Sequence, residues 1–359
     1  MRRLILKTAA AVLAAFAIQT TAVAQQTLQQ QTWKVAVPTA EKSWFGELHK
    51  WWGAEVEKRS GGKIKIQFFW SDSLVKWADS LQGIQAGIAD AAWISSSYHP
   101  AQLPNYMSLD HMFNYGDDYV AAVKAALDAM DNQPDLKAEL AKNDIVPLMS
   151  HISGLAPVGT KVPLSNMDVL KGKTLRTYGG ARTDFYKGLG WNPVFMVFPD
   201  MYPAMDRGTL DALGELVILL SNVFKLNEVV KHVHMMNPPG LKGNGGVVGS
   251  AFFMSGKKFR TLPPETQKML VDLRNEYGVR YATQLMASED QIKKQWADKN
   301  GIKFAFSTPA DEQAILKAGT EANDSYLKKL EGEGAKNVRQ VVNYYTQARK
   351  KYEAENAKK

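Results

Sequence analysis

The sequence predicts an α/β protein built from two similar domains that a long helix joins. Strand-like and helix-like segments alternate in residues 33–94 and again in residues 145–212, the order expected of parallel sheets covered by helices. A chain of 359 residues is longer than one hydrophobic core usually supports. A helical stretch at 263–300 would reach roughly 55 Å, enough to cross both domains.

The N-terminal segment, residues 1–24, has the composition of a signal peptide. Three basic residues precede an apolar run at 8–18 that is too short to cross a bilayer. Small residues at 22–24 offer a signal-peptidase site, so we expect cleavage before Gln25 and export of the mature chain. The alternative, a retained membrane anchor, is disfavoured because polar residues at 19–21 end the apolar run early.

Composition excludes several classes of protein. The chain has no cysteine, so disulfides, thiolate metal sites and cysteine nucleophiles are excluded together. The net charge of +8 is spread along the chain rather than gathered in a basic stripe, so we expect no nucleic-acid partner. The Gly-x-Ser-x-Gly and His-Glu-x-x-His signatures of common hydrolases are absent from the sequence.

Periodicity places the elements of the first α/β unit. Residues 63–70 alternate as a strand does, and Leu48, Trp52 and Val56 share one face of the helix before them. A glycine pair at 61–62 ends that helix. We predict strands at 33–37, 63–70 and 89–94 and helices at 43–59 and 74–86.

The second unit repeats this order, and the remaining chain is mostly helical. A glycine-rich segment at 243–255 is expected to return to the first domain as a strand, because it leads into an apolar run. Proline at the start of the long helix fits a position where no N–H is needed. We predict strands at 145–151, 174–177, 193–198 and from 209, and helices at 182–189, 200–208, 263–300 and from 311.

These elements predict the domain boundaries. Residues 32–151 with 241–275 form domain I, and residues 152–240 with 276–330 form domain II. Residues 331–359 are expected to be a C-terminal helix that packs on the body.

Four segments together resemble the solute-binding proteins of tripartite ATP-independent periplasmic (TRAP) transporters, the DctP-type family. They are residues 52–68, 81–90, 170–177 and 188–211, in the family's order and spacing. The resemblance implies a periplasmic-binding-protein clamshell with hinge strands, located in the periplasm and monomeric. It would capture a small-molecule carboxylate and deliver it to the membrane permease subunits without making or breaking a bond.

The resemblance implies that Arg176 contacts the ligand carboxylate through both guanidinium prongs. A planar guanidinium pairs with a carboxylate in this way, which gives direction as well as charge. From the residues alone, an interdomain salt bridge is an equal alternative. Phe198 falls where the family places an aromatic ring against the ligand's carbon skeleton, and a core position is its alternative.

The segment after Asp211 departs from the family pattern. The family commonly reads Asp-Gly-x-Glu-Asn there, and either Glu215 or Leu216 stands at the asparagine position of this chain. Glu215 would compete with a carboxylate ligand for Arg176, accept a hydrogen bond from a ligand hydroxyl or amine, or help hold sodium or calcium. A pair with Arg176 in the open form is the structural alternative. We expect no other cofactor.

Large side chains of the first domain complete the expected site. A hydroxy, keto, dicarboxylic or aromatic acid would each satisfy one arginine. Aromatic rings in a cleft suit a ligand with an apolar body and so favour a monocarboxylate of that kind. About two of the tryptophans are expected to face the site and the others to lie in the core. The candidates are Trp44, Trp70, Trp77, Trp93, Ser95 and Tyr98.

Other signals give alternatives. His232 and His234 share a strand face that zinc would accept, but no third ligand is near in sequence. An enzyme on the same fold would need Glu215 with His99 or His151 as acid and base. A ligand sensor for a kinase, or the receptor of an ATP-driven importer, is a second alternative.

Overall fold

The structure, a computed structural model, describes residues 28–113, 116–154, 156–236 and 248–358. The expected signal peptide at 1–24 and residues 243–247 of the expected returning strand lie outside these ranges. The strands are β1 Gln31–Ala36, β2 Ile64–Phe69, β3 Ala91–Ser95, β4 Ile145–His151, β5 Val158–Thr160, β6 Thr174–Thr177, β7 Asn192–Phe195, β8 Ala212–Leu213, β9 His232–Met235, β10 Ser250–Ser255 and β11 Lys303–Phe306.

Helices cover both sheets. They are α1 Trp44–Arg59, α2 Ser80–Gln85, α3 Pro104–Ser108, α4 Tyr119–Asn132, α5 Pro134–Lys142, α6 Ala181–Gly188, α7 Met201–Asp206, α8 Ile218–Val223, α9 Gly256–Arg260, α10 Pro264–Asn300, α11 Pro309–Gly332 and α12 Val338–Asn356. The helix expected at 74–86 is shorter, because extended Lys76 precedes a 3₁₀ turn at Trp77–Asp79 and α2 begins only after it. No helix within the described ranges is both long and apolar enough to cross a membrane.

The first sheet has the strand order β2-β1-β3-β10-β4. Strand β1 pairs parallel with β2 and β3, and β10 runs antiparallel between β3 and β4. All five residues of β3 are buried, as expected for a central strand with helices on both faces. The carboxyl ends of β3 and β4 therefore lie at one edge of the sheet, facing the second domain.

The second sheet has the order β11-β9-β5-β8-β6-β7. Strand β6 pairs parallel with β7 and β8, so its carboxyl end, which carries Arg176, faces the first sheet. The strand expected at 193–198 ends at Phe195, and Phe198 begins a 3₁₀ turn instead because Pro199 follows it. Strands β5 and β11 were not predicted.

The chain passes between the sheets after β4 and again after β9, and α10 spans both domains. This helix packs on α1, α4 and β4 of the first domain and on α8 of the second. Gly154, in the first crossing, has φ 71°, and a Cβ there would lie 1.9 Å from Oε1 of Glu289 in α10. The expected long helix is confirmed, and it ends at Gly301 in the left-handed conformation.

The C-terminal helices return the chain across the two domains. Helix α11 packs on α6 of the second domain, whereas α12 packs on α4 of the first. One hydrophobic cluster runs from Trp33 and Trp52 in the first domain to Phe198 and Leu216 in the second. The two-domain fold is as expected, and the exact residue boundaries of the domains stay predictions.

Candidate functional site

A cavity lies between the two domains, at the carboxyl ends of β3, β4 and β6. Sites of α/β proteins commonly lie at this edge of the sheet. The centre of a water-sized sphere can occupy about 30 Å³ of the cavity. The total space between the lining atoms, counted with the solvent at its open side, is about 510 Å³. The cavity is therefore narrow and nearly closed.

Seven of the nine residues expected at the site line this cavity. They are Trp77, Trp93, Ser95, Tyr98, Arg176, Phe198 and Glu215.

Trp44 and Trp70 do not line it, so two of the four candidate tryptophans face the cavity, and their role in ligand binding stays a prediction. Trp44 packs edge-on against Tyr281, with ring centroids 5.4 Å apart, and so lies behind the cavity wall. Trp70 follows β2, the edge strand of the first sheet, and its ring lies 4.9 Å from that of Phe68. Both tryptophans support residues of the first domain from outside the cavity.

Arg176 is fully buried at the end of β6. Its Nε donates to the carbonyl oxygen of Met196 at 3.0 Å, and Nη1 donates to that of Gly214 at 3.3 Å. Its Nη2 has no hydrogen-bond partner in the structure. The guanidinium carbon lies 5.8 Å from the ring centroid of Tyr178 and 5.4 Å from that of Phe198. The side chain is thus held in one orientation with one donor group unfilled.

Glu215 stands beside this arginine, with Oε2 3.4 Å from Arg176 Nη1. Oε2 also accepts from the backbone N–H of Tyr178 at 2.8 Å, while Oε1 has no hydrogen-bond partner in the structure. Burial raises the pKa of Glu215, and the guanidinium groups of Arg176 and then Arg182 oppose that rise. Leu216 packs in the hydrophobic core, so Glu215 is the one of the two that lines the cavity.

Aromatic rings of the first domain form the opposite wall. The ring of Trp77 lies 5.1 Å from that of Trp93 and 5.4 Å from that of Tyr98. Trp93 Nε1 donates to Ser250 Oγ at 2.5 Å, which fixes its ring, whereas the buried Nε1 of Trp77 has no partner in the structure. The planes of these rings are inclined to one another, by 53° for Trp77 and Trp93 and by 76° for Trp77 and Tyr98, so the wall is an apolar surface of tilted rings with one indole donor unpaired among the described residues.

Two polar contacts join the domains across the cavity. The backbone N–H of Phe198 donates to the Tyr98 hydroxyl at 3.0 Å, and the hydroxyls of Ser95 and Tyr178 are hydrogen-bonded. Burial raises the pKa of Tyr98 to about 12, so this hydroxyl stays neutral. The structure is therefore a closed form. Tyr178 was missed by sequence reasoning, although its position two residues after Arg176 could have indicated the same strand face.

Two further residues of the lining, His151 and Tyr281, were not among the expected ligand contacts. His151 ends β4, and its Nε2 lies 2.7 Å from the hydroxyl of Tyr277. Burial holds the pKa of His151 well below its usual value, so the ring is neutral. Tyr281 reaches the cavity from α10 and donates to the carbonyl oxygen of Ile152 at 2.6 Å. Of the two histidines considered for an enzyme, only His151 lines the cavity; His99 does not.

The two histidines of β9 do not form a metal site with other residues. His234 is buried, 3.5 Å from the hydroxyl of Ser307, and His232 is half-buried. Within the described part of the chain, no three His, Asp or Glu side chains lie close enough together to hold a metal ion.

A closable cavity between two α/β domains, walled by rings and anchored by one buried arginine, defines a solute-binding protein. Residues 35–330 match the family described as bacterial extracellular solute-binding protein, family 7 (DctP), and the chain belongs to that family. The resemblance drawn from the sequence is confirmed.

Individual relatives agree with this assignment. The chain is 28% identical over 247 residues to a solute-binding protein of Verminephrobacter eiseniae, covering 68% of this chain and 70% of that one. It is similar to a TRAP solute-binding protein from an unidentified microbe of a marine metagenome, with a TM-score of 0.79, 19% identity, and 90% and 99% of the two chains covered. It is also similar to a TRAP solute-binding protein of Rhodoferax ferrireducens, with a TM-score of 0.76, 20% identity, and 90% and 99% of the two chains covered. These likenesses show the fold.

Proposed function

We propose that the protein is the periplasmic receptor of a TRAP transporter and that it captures a small monocarboxylate with a flat apolar body. The unfilled Nη2 donor of Arg176, buried beneath an aromatic wall, is the observation that carries this proposal. A carboxylate is the group whose two oxygens match a guanidinium, and burial strengthens the contact. The rings of Trp77 and Trp93 would then lie against the carbon skeleton.

The chemistry of structural neighbours supports an acid with a single ring. The cavity itself offers about 30 Å³, less than the roughly 150 Å³ of a cavity that holds benzene, so the domains would have to move apart slightly to accommodate such a ligand. Among the structural neighbours, the marine protein is described as specific for aromatic acids and holds 3-hydroxybenzoate, and the Rhodoferax protein holds benzoate. Both ligands are monocarboxylates with a single aromatic ring, the proposed chemistry.

The proposed role involves no reaction. The ligand would shift the population of conformations toward the closed form, because only that form offers Arg176 and the aromatic wall together. The permease subunits in the membrane would then accept the closed, monomeric receptor. We propose no resident cofactor, since a sodium or calcium ion at Glu215 would meet the positive charges of Arg176 and Arg182 at close range.

A thermal-shift screen of residues 25–359 against benzoate, 3-hydroxybenzoate, pyroglutamate and a dicarboxylate tests the proposal. A ligand at a hundred times its Kd adds about 2.7 kcal/mol to the free energy of unfolding, which is seen as a raised Tm. We expect the largest rise with the one-ring acids and none in Arg176→Ala.

The matched control is Arg274→Ala. Arg274 is also a buried arginine, paired with both oxygens of Asp131 at 3.0 and 2.5 Å, and it does not line the cavity. Its loss should lower the Tm but leave the ligand-induced rise intact. Equal rises in wild type and Arg176→Ala would show that Arg176 is structural and that the proposed site is wrong.

A further inference from the structure

The buried charges around the cavity balance one another in the structure. Arg176 and Arg182 supply two positive charges, and Glu215 and Asp110 supply two negative charges when both are ionised. All four side chains are buried, and the charge of Arg182 acts on both carboxyl groups. With both carboxyl groups ionised, the group is neutral as a whole before any anion enters.

An organic acid that enters beside Arg176 as a carboxylate would leave this buried group with one excess negative charge. An unbalanced charge in a site closed to water is strongly unfavourable. Two carboxylates that share a site respond by binding a proton between them, because the pKa of one is raised by the other. Binding of the acid at this site therefore requires a proton that offsets the added negative charge, as well as the arginine that pairs with the carboxylate.

We propose that Glu215 takes up that proton from solvent when the acid binds and then donates a hydrogen bond from Oε1 to the ligand carboxylate. The second carboxylate oxygen accepts from Arg176 Nη2. This inference rests on the proposed function, because it takes the ligand to be an acid. It makes Glu215 a residue that selects for carboxylates, since its proton needs an anionic acceptor.

The hydrogen bonds of the two carboxyl groups favour Glu215 over Asp110. Asp110 Oδ1 accepts from the backbone N–H groups of Val248 and Gly249 at 2.6 and 2.7 Å, and Oδ2 accepts from Ser96 Oγ at 3.3 Å. These donors hold Asp110 as an acceptor on both oxygens. Glu215 Oε2 accepts from one backbone N–H and, at 3.4 Å, from Arg176 Nη1, and the Tyr186 hydroxyl also acts on this carboxyl group. Its Oε1 meets no hydrogen-bond partner of good geometry among the described residues. Glu215 is also the carboxyl group that touches Arg176.

The other titratable groups that face Glu215 are neutral. Tyr178 follows β6 and Tyr186 lies on α6, and burial raises the pKa of both phenols above the usual value of a tyrosine. His151, which reaches the cavity from β4, is kept neutral by burial. Burial also raises the pKa of Glu215 itself, which brings its protonation closer to neutral pH. Arg176 and Arg182 remain the charged groups that oppose it.

The sign of the pH dependence follows. Between the pKa of Glu215 in the free protein and its higher pKa in the complex, each binding event consumes one proton, so the Kd should rise about tenfold per pH unit. Below the pKa in the free protein the carboxyl is already protonated, and the Kd should be constant. Glutamine at this position offers an N–H donor that does not titrate, so Glu215→Gln should bind with a Kd that does not depend on pH.

Isothermal titration calorimetry with benzoate, at several pH values from about 6 to about 8.5 and in two buffers with different heats of ionisation, measures the largest number of protons taken up from the difference in buffer heats. We expect about one proton in the wild type and about zero in Glu215→Gln. Glu139→Gln is the matched control, because Glu139 is another buried carboxyl, bonded to the backbone N–H groups of Asn105 and Tyr106, that does not line the cavity. It should keep the wild-type proton number.

Binding of benzoate without proton uptake by the wild type would overturn the inference and leave the proposed function standing. Proton uptake that persists in Glu215→Gln would overturn the assignment to Glu215. If neither benzoate nor any acid of the thermal-shift panel binds, the proposed function fails and this inference falls with it. Should Glu215→Gln not fold, the proton number and pH profile of the wild type decide, because zero uptake refutes the proposal without a variant.

Discussion

Removal of the Tyr98 hydroxyl is expected to weaken ligand binding by loosening the closed form. This hydroxyl accepts the backbone N–H of Phe198 at 3.0 Å and so joins the first domain to the second. The open form lacks this contact, and there water can hydrogen-bond both groups. The Tyr98→Phe variant keeps the ring against Trp77 and leaves the N–H of Phe198 unpaired when the domains close.

A hydrogen bond of this kind contributes about 0.5–1.5 kcal/mol net. Because the hydrogen bond exists only in the closed form, its loss destabilises that form alone. The ratio of closed to open protein should therefore fall by about 2-fold to 13-fold. If the closed form is the minor one without ligand, the Kd for the acid rises by the same factor. The Tm of the ligand-free protein should change little.

Calorimetry with benzoate measures the Kd of wild type and Tyr98→Phe side by side. Tyr202→Phe is the matched control, because it removes a hydroxyl that donates to Glu228 at 3.1 Å within the second domain, away from the domain junction. Small-angle X-ray scattering of the ligand-free proteins then reports the open fraction. An unchanged Kd in Tyr98→Phe, or an equal rise in Tyr202→Phe, would refute the reasoning that this contact holds the domains together.

Two further perturbations probe the core and the site. His49 is buried among aromatic rings without a hydrogen bond to either ring nitrogen, and burial lowers its pKa to about 3. As the pH falls below 6.5, the histidine is protonated in the unfolded chain but not in the folded protein, which destabilises the wild type. The free energy of unfolding of His49→Phe should therefore rise by about 2 kcal/mol relative to that of the wild type between pH 6.5 and pH 5. Urea unfolding measures this, and a difference that does not change with pH would contradict it. In Gly214→Ala, the added Cβ would lie 2.4 Å from the carbonyl oxygen of Arg176 and 2.8 Å from the Tyr186 hydroxyl, so these groups would have to move. We expect the variant to fold but not to bind the acid. Wild-type affinity in calorimetry would show that the site tolerates the displacement.

Much of the fold could be predicted because its elements carry their own signals. Strands β4 and β6 and helix α10 have the predicted bounds, set by apolar runs, by proline and by glycine. Strands β5 and β11 could not be found, since segments of three and four residues become strands only through their pairing partners. The long-range order of the sheets decides those elements, and periodicity does not report it.

The residues of the site, like the elements of the fold, could be predicted from the sequence only in part. Arg176 was found through a motif, and its unfilled Nη2 became visible only with its neighbours in place. Tyr281 and His151 reach the cavity from a helix and a strand that meet it only in three dimensions. Sequence could not decide which two of the four candidate tryptophans face the cavity, because a large aromatic side chain such as Trp44 or Trp70 packs as readily behind a cavity wall as within it.

The central place of β10 in the first sheet has a consequence for the time at which the chain can fold. Residues 250–255 lie between β3 and β4, so the sheet of the first domain cannot close until that strand has been synthesised. Helix α12, from the end of the chain, then covers α4. An emerging N-terminal half would lack the strand that joins β3 to β4, so the sheet of the first domain is completed only after more than two thirds of the polypeptide has been synthesised.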